Sequence, residues 1–321
     1  MFFWKISSRY PLLPIHIAAQ SGSTAVLREL LDKRLNPNEV DQQGRTPLHH
    51  AAMSFEKDSV DLLLRRGARV NVVDSQGISP LLLAAQWSNA AVVRALLDGG
   101  ANPNDADRTG ANALHHAVGK GDREIVSLLI KRGGKQSTSK TDSGSPLMHA
   151  AAENRLTLMR ELLDAGGMID EPSAFGITPA MGAARSGAGD AFFSAYARGA
   201  NLNARDNQGG TILHHAATAP ASYILLNNFP LLQGQMLGSP NRIVSFLIAK
   251  GIDPNVRDNL GNTPLHFAAR FDNPSHVADL VALGAKANLI NQKGESVCSM
   301  ATNSRNKGLV IAELRRVGAC D

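Results

Sequence analysis

Short apolar blocks separated by polar, turn-forming stretches alternate along the whole chain, and one cycle shows the rule. Leu48, Ala51 and Ala52 form the narrow apolar face of a first helix, and Val60, Leu63 and Leu64 recur at the spacing of a second amphipathic helix. Thr46 is suited to cap the first helix, since its hydroxyl oxygen accepts from free backbone N–H groups, and Pro47 sits in the first turn, where no N–H is needed. The small alanines let a neighbouring helix approach closely. Gly67 then ends the second helix as a C-terminal glycine, and Asn71, Asp74 and Gly77 punctuate a polar connection. The cycle repeats. With Thr46 as the marker, copies fall at Leu13, Thr46, Ser79, Asn112, Ser145, Thr178 and Thr211 in six successive steps of 33 residues, then at Thr263 and Ser296. The pattern predicts nine copies of one helix-loop-helix unit.

A 33-residue period carrying Thr-Pro-Leu-His-x-Ala resembles the ankyrin repeat family. The stretches Thr46 to Ala52 (TPLHHAA) and Thr263 to Ala269 (TPLHFAA) match it almost letter for letter. The resemblance covers nearly the whole chain and implies an all-α ankyrin-repeat solenoid of stacked helix-loop-helix units joined by β-hairpin-like loops. It also implies a non-enzymatic protein–protein interaction module, a scaffold, adaptor or inhibitor that holds its partner along a concave groove. In such proteins the hairpin tips and the exposed face of each first helix carry the contacts. Carried onto this chain, Ile78, Arg108, Phe175, Ile177 and Leu260 are tip positions, and Gln86, Trp87, Arg185, Arg270 and Phe271 are first-helix positions. Binding energy concentrates in aromatic and arginine anchors, which puts Trp87 first. Packing of Trp87 against Phe55 of the preceding repeat is the competing expectation. The family's motif histidine ties one repeat's loop to the next, and Met148 and Met181 replace it in repeats five and six. The stack is therefore expected to be softest between residues 133 and 175.

Composition fits stacked small units. Hydrophobic residues make up 43% of the chain and aromatics 5%, which suits interlocking small side chains better than one large core. Each repeat touches only its neighbours, so residues 1–321 are expected to form one elongated domain. The net charge of +5 arises from 33 basic and 28 acidic residues. Its densest patches, Arg65, Arg66 and Arg69, then Lys131, Arg132, Lys135 and Lys140, fall at helix ends, where cations offset the helix dipole. Without aromatic interleaving or a long basic stripe, nucleic-acid binding is disfavoured; a regulatory or nucleic-acid-associated factor using basic charge is the alternative function. Cys298 and Cys320 are too few for a disulfide framework and fit a reducing compartment. The apolar start, Phe2, Phe3 and Trp4, is too short for a signal-peptide core and is expected to lie over the first repeat. No segment approaches the length of a membrane span, so an intracellular protein of cytoplasm or nucleus is expected.

One irregularity interrupts the period. The step from Thr211 to Thr263 carries 19 extra residues, an apolar insertion at residues 219–241 placed between the two helices of repeat seven. So many exposed apolar side chains would form a large patch, which leaves packing against repeats six to eight, a private docking site, or a translated unspliced stretch as readings. The histidine pairs His49-His50, His115-His116 and His214-His215 invite a metal site. Adjacent helix positions diverge by about 100 degrees, however, and no zinc-type spacing accompanies them, so no metal is expected. His276, outside the pattern, is expected on an exposed helix. Ser186-Gly-Ala-Gly-Asp190 is glycine-rich but falls in an interhelix loop rather than between a strand and a helix, so it is no phosphate cradle. No catalytic residues, cofactor or small-molecule substrate are expected.

Overall fold

The marker residues from Leu13 to Thr263 sit in extended backbone directly before a helix. Thr46 (ψ 166°), Ser79 (ψ 163°), Asn112 (ψ 179°) and Thr178 (ψ 163°) turn the incoming chain into a first helix that starts, in most repeats, with proline. The computed structural model describes residues 13–136, 144–219, 242–271, 273–301 and 307–320. The chain divides into two compact units, Met1–Thr138 and Ser139–Asp321.

The N-terminal unit contains α1 (Pro14–Gln20), α2 (Thr24–Asp32), α3 (Pro47–Met53), α4 (Lys57–Arg65), α5 (Pro80–Gln86), α6 (Ala90–Asp98), α7 (Ala113–Lys120) and α8 (Arg123–Lys131). The C-terminal unit contains α9 (Pro146–Ala152), α10 (Leu156–Asp164), α11 (Pro179–Arg185), α12 (Gly189–Ala197), α13 (Ile212–Ala217), α14 (Arg242–Ala249), α15 (Pro264–Arg270), α16 (Pro274–Ala282), α17 (Val297–Ala301) and α18 (Lys307–Arg316). Within each unit first helices pack on first helices, as α1 on α3, α3 on α5 and α5 on α7, and second helices on second helices, as α4 on α6. Leu48, Ala51, Ala52, Val60 and Leu63 are fully buried as predicted, whereas Leu64 is half-buried and Leu62, at 3%, takes a place in the core. The connections form hairpins without extended strands among the described residues. Isolated bridges join Ala106 to Asn112, Arg205 to Thr211 and Ile290 to Ser296.

Side chains stitch one repeat to the next. Asn38 donates through Nδ2 to Gly67 O at 3.0 Å and accepts Arg69 N–H at 2.7 Å. Asn71 does the same with Gly100 O (3.2 Å) and Asn102 N–H (3.0 Å), and Asn104 with Gly133 O (3.1 Å) and Lys135 N–H (2.7 Å). Each asparagine thereby satisfies the C-terminal turn of the following repeat, where free carbonyls need donors. Arg34 takes the glycine slot after α2 in left-handed backbone, φ 62°, where later repeats have glycine, as at Gly67 (φ 86°).

Two expectations are corrected. His276 is not exposed: it is 2% accessible on α16, in the slot that Val92, Ile125 and Leu158 fill in other repeats, and burial pushes it down to about 4. Cys298 and Cys320 are not a pair of free thiols but form a disulfide joining the start of α17 to the turn after α18. Of the insertion expected at residues 219–241, residues 220–241 lie outside the described residues; α13 ends at Ala217 before it and α14 begins at Arg242 after it. So do Phe2, Phe3, Trp4 and residues 137–143 of the junction between repeats four and five.

Candidate functional site

The motif histidine is structural. His49 is fully buried; its Nδ1 accepts the Thr46 N–H at 3.1 Å, which places the ring proton on Nε2, and Nε2 donates to Ile78 O at 3.0 Å in the next hairpin. Burial pushes its pKa down to about 4, so the ring is neutral at pH 7. His214 repeats the arrangement with Thr211 N–H (3.1 Å) and Asn262 O (3.0 Å) and is likewise held at about 4 by burial. In repeats five and six Ser145 and Thr178 still cap Met148 and Met181 N–H at 3.3 Å, but methionine has no donor for the next hairpin.

The second histidine of each pair faces a hairpin aspartate, an arrangement not read from the sequence. His50 Nε2 lies 2.8 Å from Asp41 Oδ2, His215 Nε2 2.9 Å from Asp206 Oδ2, and His116 Nε2 3.5 Å from Asp107 Oδ2. The signal was an aspartate nine residues before a histidine, recurring in repeats two, four and seven. Burial would raise the Asp41 carboxyl, yet hydrogen bonds from His50 and from the Arg45 and Gln43 N–H groups outweigh it and hold the pKa below the usual range. Burial is the largest influence on His50 too, and it lowers that pKa in spite of Asp41. These groups complete hairpins. Among the described residues no cluster of three or more His, Cys, Asp or Glu side chains is placed to hold a metal ion.

The candidate partner residues are distributed over both units. In the N-terminal unit Trp87, the C-cap of α5, is 51% exposed, and Gln86 and Arg108 are exposed. Ile78 is half-buried, with its carbonyl taken by His49. Trp87 makes no ring contact with Phe55 or any other described aromatic side chain. Phe55 is itself 56% exposed, in left-handed backbone at φ 64°. Its slot holds Gly22, Gly121 and Gly187 in other repeats, a sequence signal for a position that buries no side chain. In the C-terminal unit Phe175 (53%), Leu260 (46%) and Phe271 (51%) are exposed, as are Arg185 and Arg270, while Ile177 is half-buried. Phe271 stacks on Phe267 at 6.2 Å, with the Arg270 guanidinium 6.0 Å from the Phe271 ring centre.

Family models of ankyrin repeats match residues 6–74, 56–142 and 237–281. The chain belongs to the ankyrin repeat family. The ankyrin repeat domain of human ASB11 superposes with a TM-score of 0.59 at 30% identity, covering 68% of this chain and all of that domain. The ankyrin repeat domain of Bcl-3, a member of the IkappaB family, gives a TM-score of 0.57 at 26% identity over 63% of this chain and 92% of that one. An ankyrin repeat protein of Acanthamoeba polyphaga mimivirus is 43% identical over 56 residues, 17% of this chain and 14% of that protein. The chain thus matches a small part of that relative's length. Ankyrin repeats are in general protein-binding modules, and no described helix is long and apolar enough to cross a membrane.

Proposed function

We propose that this ankyrin repeat protein is a non-enzymatic scaffold, adaptor or inhibitor that holds another protein on its hairpin tips and first helices. Residues 1–321 then act as one binding domain. The observation that carries the reading is Trp87: half-exposed on a first helix, without a ring partner, in a slot where the other N-terminal repeats place Ser21, Ser54 and Lys120. An amphipathic ring left half in water keeps apolar area free for a contact and matches the anchors that dominate protein interfaces. Phe175, Leu260, Arg270 and Phe271 would serve the same role in the C-terminal unit. The place of work we propose is inside the cell, in cytoplasm or nucleus; the Cys298–Cys320 pair is the observation that stands against it.

The test is affinity capture followed by titration of the captured protein. Trp87→Ala should weaken binding by about 2 kcal/mol or more, roughly 30-fold, while melting stays unchanged. Loss of folding instead would make Trp87 a packing residue and remove the reading.

A further inference from the structure

Charge on the N-terminal unit is unevenly spent. The three hairpin aspartates turn inward. Asp41 Oδ1 accepts the Gln43 and Arg45 N–H groups (2.8 and 2.9 Å), Asp74 Oδ1 those of Gln76 and Ile78 (2.8 and 2.9 Å), and Asp107 Oδ1 those of Thr109 and Ala111 (2.8 and 3.1 Å). Their second oxygens face His50, Arg45 and His116. On the second helices opposite charges cancel in pairs: Asp32 with Arg66 at 2.8 Å, Asp98 with Arg132 at 2.5 Å and Glu124 with Arg94 at 3.3 Å.

On the hairpin and first-helix side two cations stay uncompensated to one side of Trp87, against one exposed carboxylate, Glu56, on the other. Arg108 at a hairpin tip and Lys120 at the end of α7 are exposed, and neither has an ion-pair or hydrogen-bond partner among the described residues. Lys120, the last residue of α7, fills the slot that Trp87 fills as the C-cap of α5, and α5 packs on α7, so the two side chains start about 8–10 Å apart. Arg108 precedes the other end of α7, whose 8 residues span about 12 Å.

Resting on the reading of Trp87 as an anchor, we propose that this face takes an acidic polypeptide segment in extended form. An apolar or aromatic side chain sits on Trp87, and two carboxylates about four residues apart reach Lys120 and Arg108, because extended chain covers about 3.3 Å per residue. Glu56, exposed next to Phe55, repels a carboxylate on the opposite side of Trp87 and so sets the direction of the segment. Exposed ion pairs add little affinity; their effect is on which segment is accepted. A single-stranded nucleic acid would need a groove of cations following its backbone and successive rings for its bases, and two cations beside one tryptophan do not supply that.

The test selects a phage-displayed library of random linear peptides against the full chain, Trp87→Ala, and the double variant Arg108→Glu/Lys120→Glu, each shown to be folded by circular dichroism. Wild type should recover peptides with an apolar residue flanked on one side by two spaced acidic residues. Trp87→Ala should recover none of them, and the double variant should bind a recovered peptide about tenfold or more weakly. Trp87-dependent peptides without acidic bias would overturn the charge inference while leaving the anchor standing. The same peptides from wild type and Trp87→Ala, or none from either, would remove the anchor itself. Oligothymidylate bound more tightly than any recovered peptide, and released by the double variant, would make the face a nucleic-acid site and overturn the proposal.

Discussion

Replacing His49 by leucine isolates what the motif histidine contributes, because repeat three already carries Leu82 in that slot and buries it. Leucine keeps the bulk but strands the buried Thr46 N–H, which His49 accepts at 3.1 Å, and removes one of the two hydrogen bonds to the Ile78 carbonyl (3.0 Å), which keeps the Asp74 N–H at 2.9 Å. With about 1–3 kcal/mol for the buried donor left unpaired and about 1 kcal/mol for the lost bond to the Ile78 carbonyl, the substitution should cost about 3 kcal/mol at pH 7. Dependence on pH gives the sharper test. Burial holds His49 at about 4 against an ordinary 6.5, so between these values the unfolded chain takes up a proton that the folded chain refuses. Stability from the neutral ring is therefore complete above pH 6.5 and is lost as pH falls toward 4, the direction required when the unfolded state binds more protons. The loss comes to about 2 kcal/mol at pH 5 and about 3 kcal/mol at pH 4. Leucine has no such loss. His214 and His276, also held at about 4, titrate alike in both proteins and cancel from the difference. The gap between wild type and His49→Leu should shrink from about 3 kcal/mol at pH 7 to about 1 kcal/mol at pH 5. Urea unfolding followed by circular dichroism at both pH values measures it. A gap of equal size at both would refute the buried neutral imidazole.

Other outcomes follow from the same physical terms. The Cys298–Cys320 bridge closes a loop of 22 residues, so its reduction should destabilise the last repeat by about 3 kcal/mol, and thiol titration of the unreduced protein should find no free cysteine. Phe55→Gly relieves a bulky side chain at φ 64° and should raise stability by about 1 kcal/mol, read from the denaturation midpoint; a fall would mean that Phe55 packs. Amide exchange should be faster over residues 144–175 than over residues 46–110, since Met148 and Met181 leave two successive hairpins without the histidine's bond, whereas residues 46–110 lack it once, at Leu82. Equal protection in the two stretches would show that capping by Ser145 and Thr178 suffices.

The fold was legible because each repeated letter answers a local demand. Thr46 with His49, Leu48 with Ala51 and Ala52, and Gly67 do in the structure what their chemistry suggested. What the period hid was reach. Asn71 reads as a turn residue, yet its partners Gly100 and Asn102 belong to the next repeat, and spacing along one copy does not show which neighbour a side chain will touch. His276 was misplaced through attention to its type rather than its slot, which aliphatic residues fill elsewhere. The cysteines were judged by number, although the fold brings residues 298 and 320 together across a helix pair, with Cα atoms 5.8 Å apart.

A stacked repeat separates the residues that make it stand from those that make it particular. Core slots converge on the same few types because every copy packs against a near-identical neighbour, so Leu48, Leu114 and Leu265 are interchangeable in role and all fully buried. The slot at the end of the first helix is freer, and in repeats one to eight it holds Ser21, Ser54, Trp87, Lys120, Glu153, Ser186, Ala219 and Phe271 in turn. Aromatic residues there are only partly packed: Trp87 and Phe271 remain about half exposed at 51% each, although Phe271 stacks on Phe267. A serine in the same slot bonds back to its own helix, as Ser54 Oγ does to Ala51 O at 2.8 Å, and finishes the turn at little cost. Trp87 gives up that bond and leaves half of an apolar ring exposed, which suits the partner contact proposed for it. Departures from the repeat, weighed against the local bond they forfeit, are therefore where this protein's specificity is to be sought.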